Sequence, residues 1–119
     1  MNPNRGETLM TQVINISTAG DNSLILAPAT TGAYIAVDFL QLIPTTAVTV
    51  TFNSGNSMQG QFALSGPYPL SAQQVVTDEN VFQDKDGIFT CGVNDDFVIT
   101  LGGAVQCGGF IRYRLVQNG

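Results

Sequence analysis

The sequence predicts an all-β chain: an antiparallel β-sandwich, jelly-roll-like, forming a single domain behind an extended N-terminal arm. Three observations carry that expectation. Apolar runs alternate in period two, as Val48, Val50 and Phe52 do against Thr49 and Thr51. These runs are short and are punctuated by Gly, Pro, Asn and Asp at turn spacing. Nowhere does an apolar stripe recur with the spacing of an amphipathic helix. With 119 residues the chain falls in the range of one domain.

The elements follow in order. Residues 1–12 mix Asn, Pro, Gly, Arg and Glu with little periodicity and read as an arm that is either disordered or ordered only by a partner; residues 13–119 form the domain. Val13 to Ile16 is the first strand, and Ala19 to Asn22 a turn. Ser23 to Ala27 is the second strand, stopped by Pro28, and Ala33 to Ile43 the third, closed by Pro44. Val48 to Phe52 turns at Asn53–Asn56 into a partner strand, Ser57 to Leu64, with Met58, Gly60, Phe62 and Leu64 on one face. Ser65 to Leu70, with Gly66, Pro67 and Pro69, reads as a loop or sheet edge. Ser71 to Gly87 carries the acidic concentration and the least periodicity. Gly87 to Thr90, Phe97 to Leu101 and Gln106 to Leu115 complete about eight strands, a number that suits a sandwich or jelly roll.

Composition narrows function. Nine acidic and four basic side chains give a formal net charge of −5. The basic residues are Arg5, Lys85, Arg112 and Arg114, too few and too scattered to follow a phosphate backbone, so no nucleic acid is expected. No stretch is long and apolar enough for a transmembrane helix, and the start lacks the pattern of a signal peptide. The expectation is a chain made in a cytoplasm, with no membrane partner. Cys91 and Cys107 stand next to glycines without metal-ligand spacing and read as buried structural thiols.

The chain contains no His, so a Ser-His-Asp or Cys-His arrangement cannot be assembled. Glu7 and Glu79, the two glutamates, fall in segments that look mobile, which disfavours a carboxylate pair for sugar hydrolysis. The expectation is no enzyme, no catalytic residues and no cofactor. The run Asp84-Lys85-Asp86-Gly87 invites a calcium reading, but with Gly87 at the sixth loop position Phe82 falls first and Val93 twelfth, and the EF-hand pattern fails; a solvated loop is the expectation, with a looser calcium site at Asp84 and Asp86 left open. Asn94-Asp95-Asp96 reads as turn chemistry.

Asp38 is different. It interrupts the apolar run Tyr34-Ile35-Ala36-Val37-Asp38-Phe39-Leu40, where an unpaired charge is costly. Arg112 and Arg114, on one face of another strand, are its natural partners, within the chain or across subunits; the alternative is that Asp38 faces water. Together with Asn4 and Arg5 of the arm, Asp38, Arg112 and Arg114 are the partner-binding candidates.

The layout itself resembles a known group. The apolar strand Tyr34–Leu40 precedes Val48-Thr49-Val50-Thr51-Phe52-Asn53-Ser54-Gly55; near the end come Asp96-Phe97-Val98-Ile99-Thr100-Leu101 and Gly108-Gly109-Phe110-Ile111-Arg112-Tyr113. Over residues 30–116 this pattern is similar to the small β-sandwich capsid decoration (cement) proteins of tailed bacteriophages. The resemblance rests on strands and Gly-flanked turns and carries no diagnostic motif. It implies a jelly-roll-like domain on the outer face of a virion capsid, bound to the major capsid protein and to itself as a homotrimer or dimer, bridging subunits against internal DNA pressure. It transfers no catalytic residue, and the polar arm has no fixed counterpart in that group. An arm of this length suits strand addition to a neighbour, or a path across its surface. Two other expectations stay open: a glycan-binding module from a tail fibre or spike, and a head-completion or connector protein.

Overall fold

The computed structural model describes residues 8–56, 58–81 and 86–117. All regular structure among them is β, arranged as two antiparallel sheets packed face to face. The strands are β1 (Met10–Ile16), β2 (Gly20–Ile25), β3 (Ala33–Pro44), β4 (Val48–Ser54), β5 (Phe62–Ala63), β6 (Tyr68–Leu70), β7 (Val76–Glu79), β8 (Phe89–Thr90), β9 (Phe97–Leu101) and β10 (Cys107–Gln117). The first sheet has the order β1-β10-β3-β7, with β8 continuing the β7 edge along β3. In the second the order is β2-β9-β4-β5, with β6 beside β4. Counting β5 with β6, and β7 with β8, as two interrupted strands leaves four strands per sheet. The chain then crosses between sheets at every connection but the β4–β5 hairpin, in the double Greek-key order of a jelly roll.

Alternation explains why the core forms. Ile14, Ile35, Val37, Leu40, Leu42 and Ile111 of the first sheet meet Val50, Phe52, Phe97, Ile99 and Leu101 of the second, all at most 2 % exposed. Phe52 lies at the centre, with the Phe89 ring at 5.2 Å and the Phe97 ring at 6.2 Å. Each is an aromatic pair within the favourable range of separations.

Several boundaries differ from the sequence reading. β1 begins at Met10, so the last three residues assigned to the arm lie in the sheet, paired with Ile111, Arg112 and Tyr113. β2 begins at Gly20, where a turn was expected, because Gly20 itself opens the strand at φ +90. Of the expected partner strand Ser57–Leu64 only Phe62–Ala63 pairs as a strand with β4; Met58, 94 % exposed, stands on the hairpin tip instead of a strand face. Within the aperiodic Ser71–Gly87 stretch lies β7, an edge strand whose exposed side chains Thr77, Asp78 and Glu79 leave no alternation to read. Tyr68–Leu70 is an edge strand on β4, where its Pro69 costs no central ladder bond.

Candidate functional site

Asp38 pairs within the chain. Its carboxylate accepts from Arg114 Nε at 2.7 Å and from a terminal guanidinium nitrogen at 3.0 Å, a two-pronged contact between β3 and β10. Asn80 Nδ2 donates to the same carboxylate at 3.1 Å, and the Asn80 amide to the Asp38 carbonyl at 2.8 Å. A β-bulge produces this arrangement. Arg112 pairs with Phe39 and Tyr113 with Val37, so Asp38 is the extra residue. The core positions of β3 accordingly shift from Ile35 and Val37 to Leu40 and Leu42, and Asp38 and Phe39 both turn away from the sandwich interior. Arg114, 1 % exposed, lies on that side beside the small cluster of Tyr34, Ala36 and Val116, where Tyr34 donates to Asp86 at 2.6 Å. Asp38 and Arg114 therefore pair with each other on the outer side of the first sheet, fastening β3 to β10.

Arg112 behaves differently. It is exposed, and no carboxylate among the described residues pairs with it. Its guanidinium lies 6.0 Å from the Phe110 ring centre, and Phe110 stacks on Phe39 at 5.2 Å. The register sets Val13 beside Phe110 and Thr11 beside Arg112, and Glu79 beside Phe39 on the far edge. One face of a four-stranded sheet thus carries an aromatic pair, an Arg above it and Val13 at 63 % exposure. Aromatic rings and Arg are the side chains enriched where protein surfaces meet. Because Arg114 is buried, Arg112 and Arg114 make no joint basic patch. Asn4 and Arg5 fall outside the described residues, as does Asp84 of the calcium reading.

On the outer face of the second sheet four polar side chains are linked in a chain of hydrogen bonds. Asn53 Nδ2 donates to Thr100 Oγ1 at 2.7 Å, Thr100 Oγ1 to Asp21 at 2.8 Å, and Gln61 Nε2 to Asp21 at 2.9 Å.

The Asn94–Asp96 segment is more than a turn. Asn94 does adopt φ +57, and its side chain binds the Pro28 and Thr30 carbonyls and the Gly32 amide. Asp96, however, is 4 % exposed and ties together β2, the loop after β2 and the loop after β4. Its carboxylate accepts from Ser23 Oγ at 2.9 Å, the Ala27 amide at 2.8 Å, Asn56 Nδ2 at 3.1 Å and Gln59 Nε2 at 3.4 Å. Burial opposes the charged carboxylate, but the hydrogen bonds from Ser23, Ala27, Asn56 and Gln59 outweigh it and hold the Asp96 pKa below the usual range. A charge set directly before an apolar strand was the one available signal, because the donors lie as many as 73 residues away. Next to it, Ser54 donates to Asp95 at 3.1 Å and accepts from the Gly92 amide at 2.8 Å.

Cys91 and Cys107 are buried, unbonded thiols. Burial pushes the Cys91 thiol up to about 12, with Asp95 and Asp96 adding to the shift against the Ser54 hydrogen bond. A thiol held that far from ionisation is a poor nucleophile. Among the described residues no three His, Cys, Asp or Glu side chains gather as a metal would require, and no helix is long and apolar enough to cross a membrane. Comparison with protein-family models, curated proteins and solved structures finds no match.

Proposed function

We propose that this chain is a non-catalytic structural protein of a virion, a capsid decoration protein that binds the major capsid protein on the outer shell surface and bridges its subunits. The docking surface is the outer face of the first sheet. The observation that carries the reading is the Phe39–Phe110 stack with Arg112 above it, set on a sheet face where no carboxylate among the described residues pairs with that Arg. Two further observations support it. The jelly roll is an architecture shared by capsid and lectin domains, and a chain without His cannot build the commonest nucleophilic catalytic sets. Copies of the chain meet as a dimer or trimer on the shell.

Co-sedimentation with purified shells that lack this chain tests the reading. Wild-type protein pellets with the shells, and Arg112→Glu weakens binding by about tenfold or more, the scale of an interface hot spot. Arg112 is exposed, so the variant keeps its fold. Equal binding by the variant excludes this face as the docking surface, and no binding by wild type overturns the reading. Glycan recognition at a fibre tip is the second reading, favoured by one observation: Tyr68, 40 % exposed on a sheet edge, is an aromatic surface open to a sugar. Binding on a glycan array that Tyr68→Ala abolishes would decide for it.

A further inference from the structure

Edge strands normally carry a device that prevents pairing with another chain: short length, a charge, a proline or a bulge. Nearly every edge of this sandwich has one. β2 bears Asp21 and shifts register between Ser23 and Ile25. β5 and β8 have two residues each, β6 has three with Pro69 among them, and β7 exposes Asp78 and Glu79.

β1 has none of these. Its seven residues, Met-Thr-Gln-Val-Ile-Asn-Ile, are uncharged and free of proline. The register with β10 runs unbroken from Met10 against Tyr113 to Ile16 against Cys107. Among the described residues β10 is its only strand partner, so alternate main-chain amides and carbonyls of β1 point away from the sheet. At its midpoint Val13 is 63 % exposed.

We propose that β1 is a self-association edge, pairing antiparallel with β1 of a second copy about a two-fold axis at Val13 and joining two first sheets into one. The side chains select a second copy as the occupant. In that register Val13 faces Val13 and Thr11 faces Asn15 on the solvent side, so apolar meets apolar and hydrogen-bonding group meets hydrogen-bonding group. The strand carries no charge, so two chains of net charge −5 meet without like charges opposed on the paired strands. Asp78 and Glu79 lie on β7, at the other edge of the same sheet. Val13 also pairs with Phe110, so the joined strands extend the Phe110–Phe39 surface across both copies. This inference rests on sheet topology and stands apart from the shell reading; it is read in solution, without capsids.

Cysteine cross-linking of the full chain tests it, since Cys91 and Cys107 are buried and silent. Val13→Cys is expected to oxidise to a covalent dimer. Thr11→Cys alone and Asn15→Cys alone are expected to stay monomeric, because each residue sits four positions from its own copy. That is roughly 14 Å along a strand, beyond the reach of about 7 Å that a disulfide spans. An equimolar mixture of the two is expected to give the heterodimer. In sedimentation equilibrium wild type shows a concentration-dependent dimer, and Val13→Lys stays monomeric with an unchanged circular dichroism spectrum. Wild type that remains a monomer up to its highest soluble concentration overturns the proposal. So does a Thr11→Cys variant that cross-links alone as readily as the mixture, or a Val13→Lys variant that dimerises like wild type.

Discussion

Replacing Asp96 by Asn tests how far one buried carboxylate holds the loop end of the sandwich together. Every group aimed at Asp96 is a donor: Ser23 Oγ, the Ala27 amide, Asn56 Nδ2 and, at the longer distance of 3.4 Å, Gln59 Nε2. Asn keeps the shape but turns one acceptor into an amide that faces those donors. Three of the contacts are 3.1 Å or shorter. Hydrogen bonds to a charged group contribute about 1.5–3 kcal/mol each before the partial acceptance by the Asn oxygen, which places the net loss at about 3 kcal/mol. For a domain of this size that lowers Tm by roughly 10 °C. The assay is reversible urea or thermal unfolding followed by circular dichroism, with Asp95→Asn as comparator. Asp95 is half-buried and, among the side chains of the described residues, accepts from Ser54 alone, so its loss is about 1 kcal/mol. Acid dependence gives a second readout. The Asp96 pKa is lowered in the folded state, so its contribution is present above the unfolded value of about 3.9 and disappears as pH falls below it. Asp96→Asn therefore flattens the acid limb of the stability curve. A loss below about 1 kcal/mol, or one equal to that of Asp95→Asn, refutes the claim that Asp96 organises these loops.

Arg114→Lys replaces the two-pronged contact to Asp38 by a single ammonium, and is expected to lower stability by about 1–2 kcal/mol in denaturant unfolding; unchanged stability contradicts the pairing. Gly109→Ala is expected to prevent folding or to leave only insoluble protein. Gly109 sits at φ +134, and a methyl there overlaps the Gln41 carbonyl of the neighbouring strand, so a soluble variant with the wild-type spectrum contradicts the β3–β10 pairing. Native protein is expected to resist a thiol reagent at pH 8 and to yield two reactive thiols once unfolded, since both cysteines are buried and the Cys91 pKa is pushed up to about 12. Rapid labelling of folded protein would show one of them to be open.

The long strands were legible because their two faces differ. Val48, Val50 and Phe52 alternate with polar residues along β4, and this half-buried pattern has few other readings. Asp38 was legible for the opposite reason: a charge inside an apolar run needs a partner, and Arg114 on another strand supplies it. The bulge left a trace in the move from Ile35 and Val37 to Leu40 and Leu42, which only the register with β10 makes decisive. Short and polar edges escaped. β7 exposes three of its four side chains, so no period marks it, and Met58 fell into an alternating pattern although it stands on a hairpin tip. The role of Asp96 was hidden because Ser23, Ala27, Asn56 and Gln59 lie 37 to 73 residues from it; only the jelly-roll topology brings them to one end. Arg112 and Arg114 looked equivalent in sequence, yet a buried ion pair takes one and leaves the other on an aromatic face.

Counting copies of this chain per purified virus particle, by quantitative mass spectrometry against the major capsid protein, tests the central claim most directly. A decoration protein is present at a simple fraction of the capsid subunit number, set by the symmetry of the shell. A few copies per particle, as at a single vertex or a fibre tip, or none at all, would contradict the account.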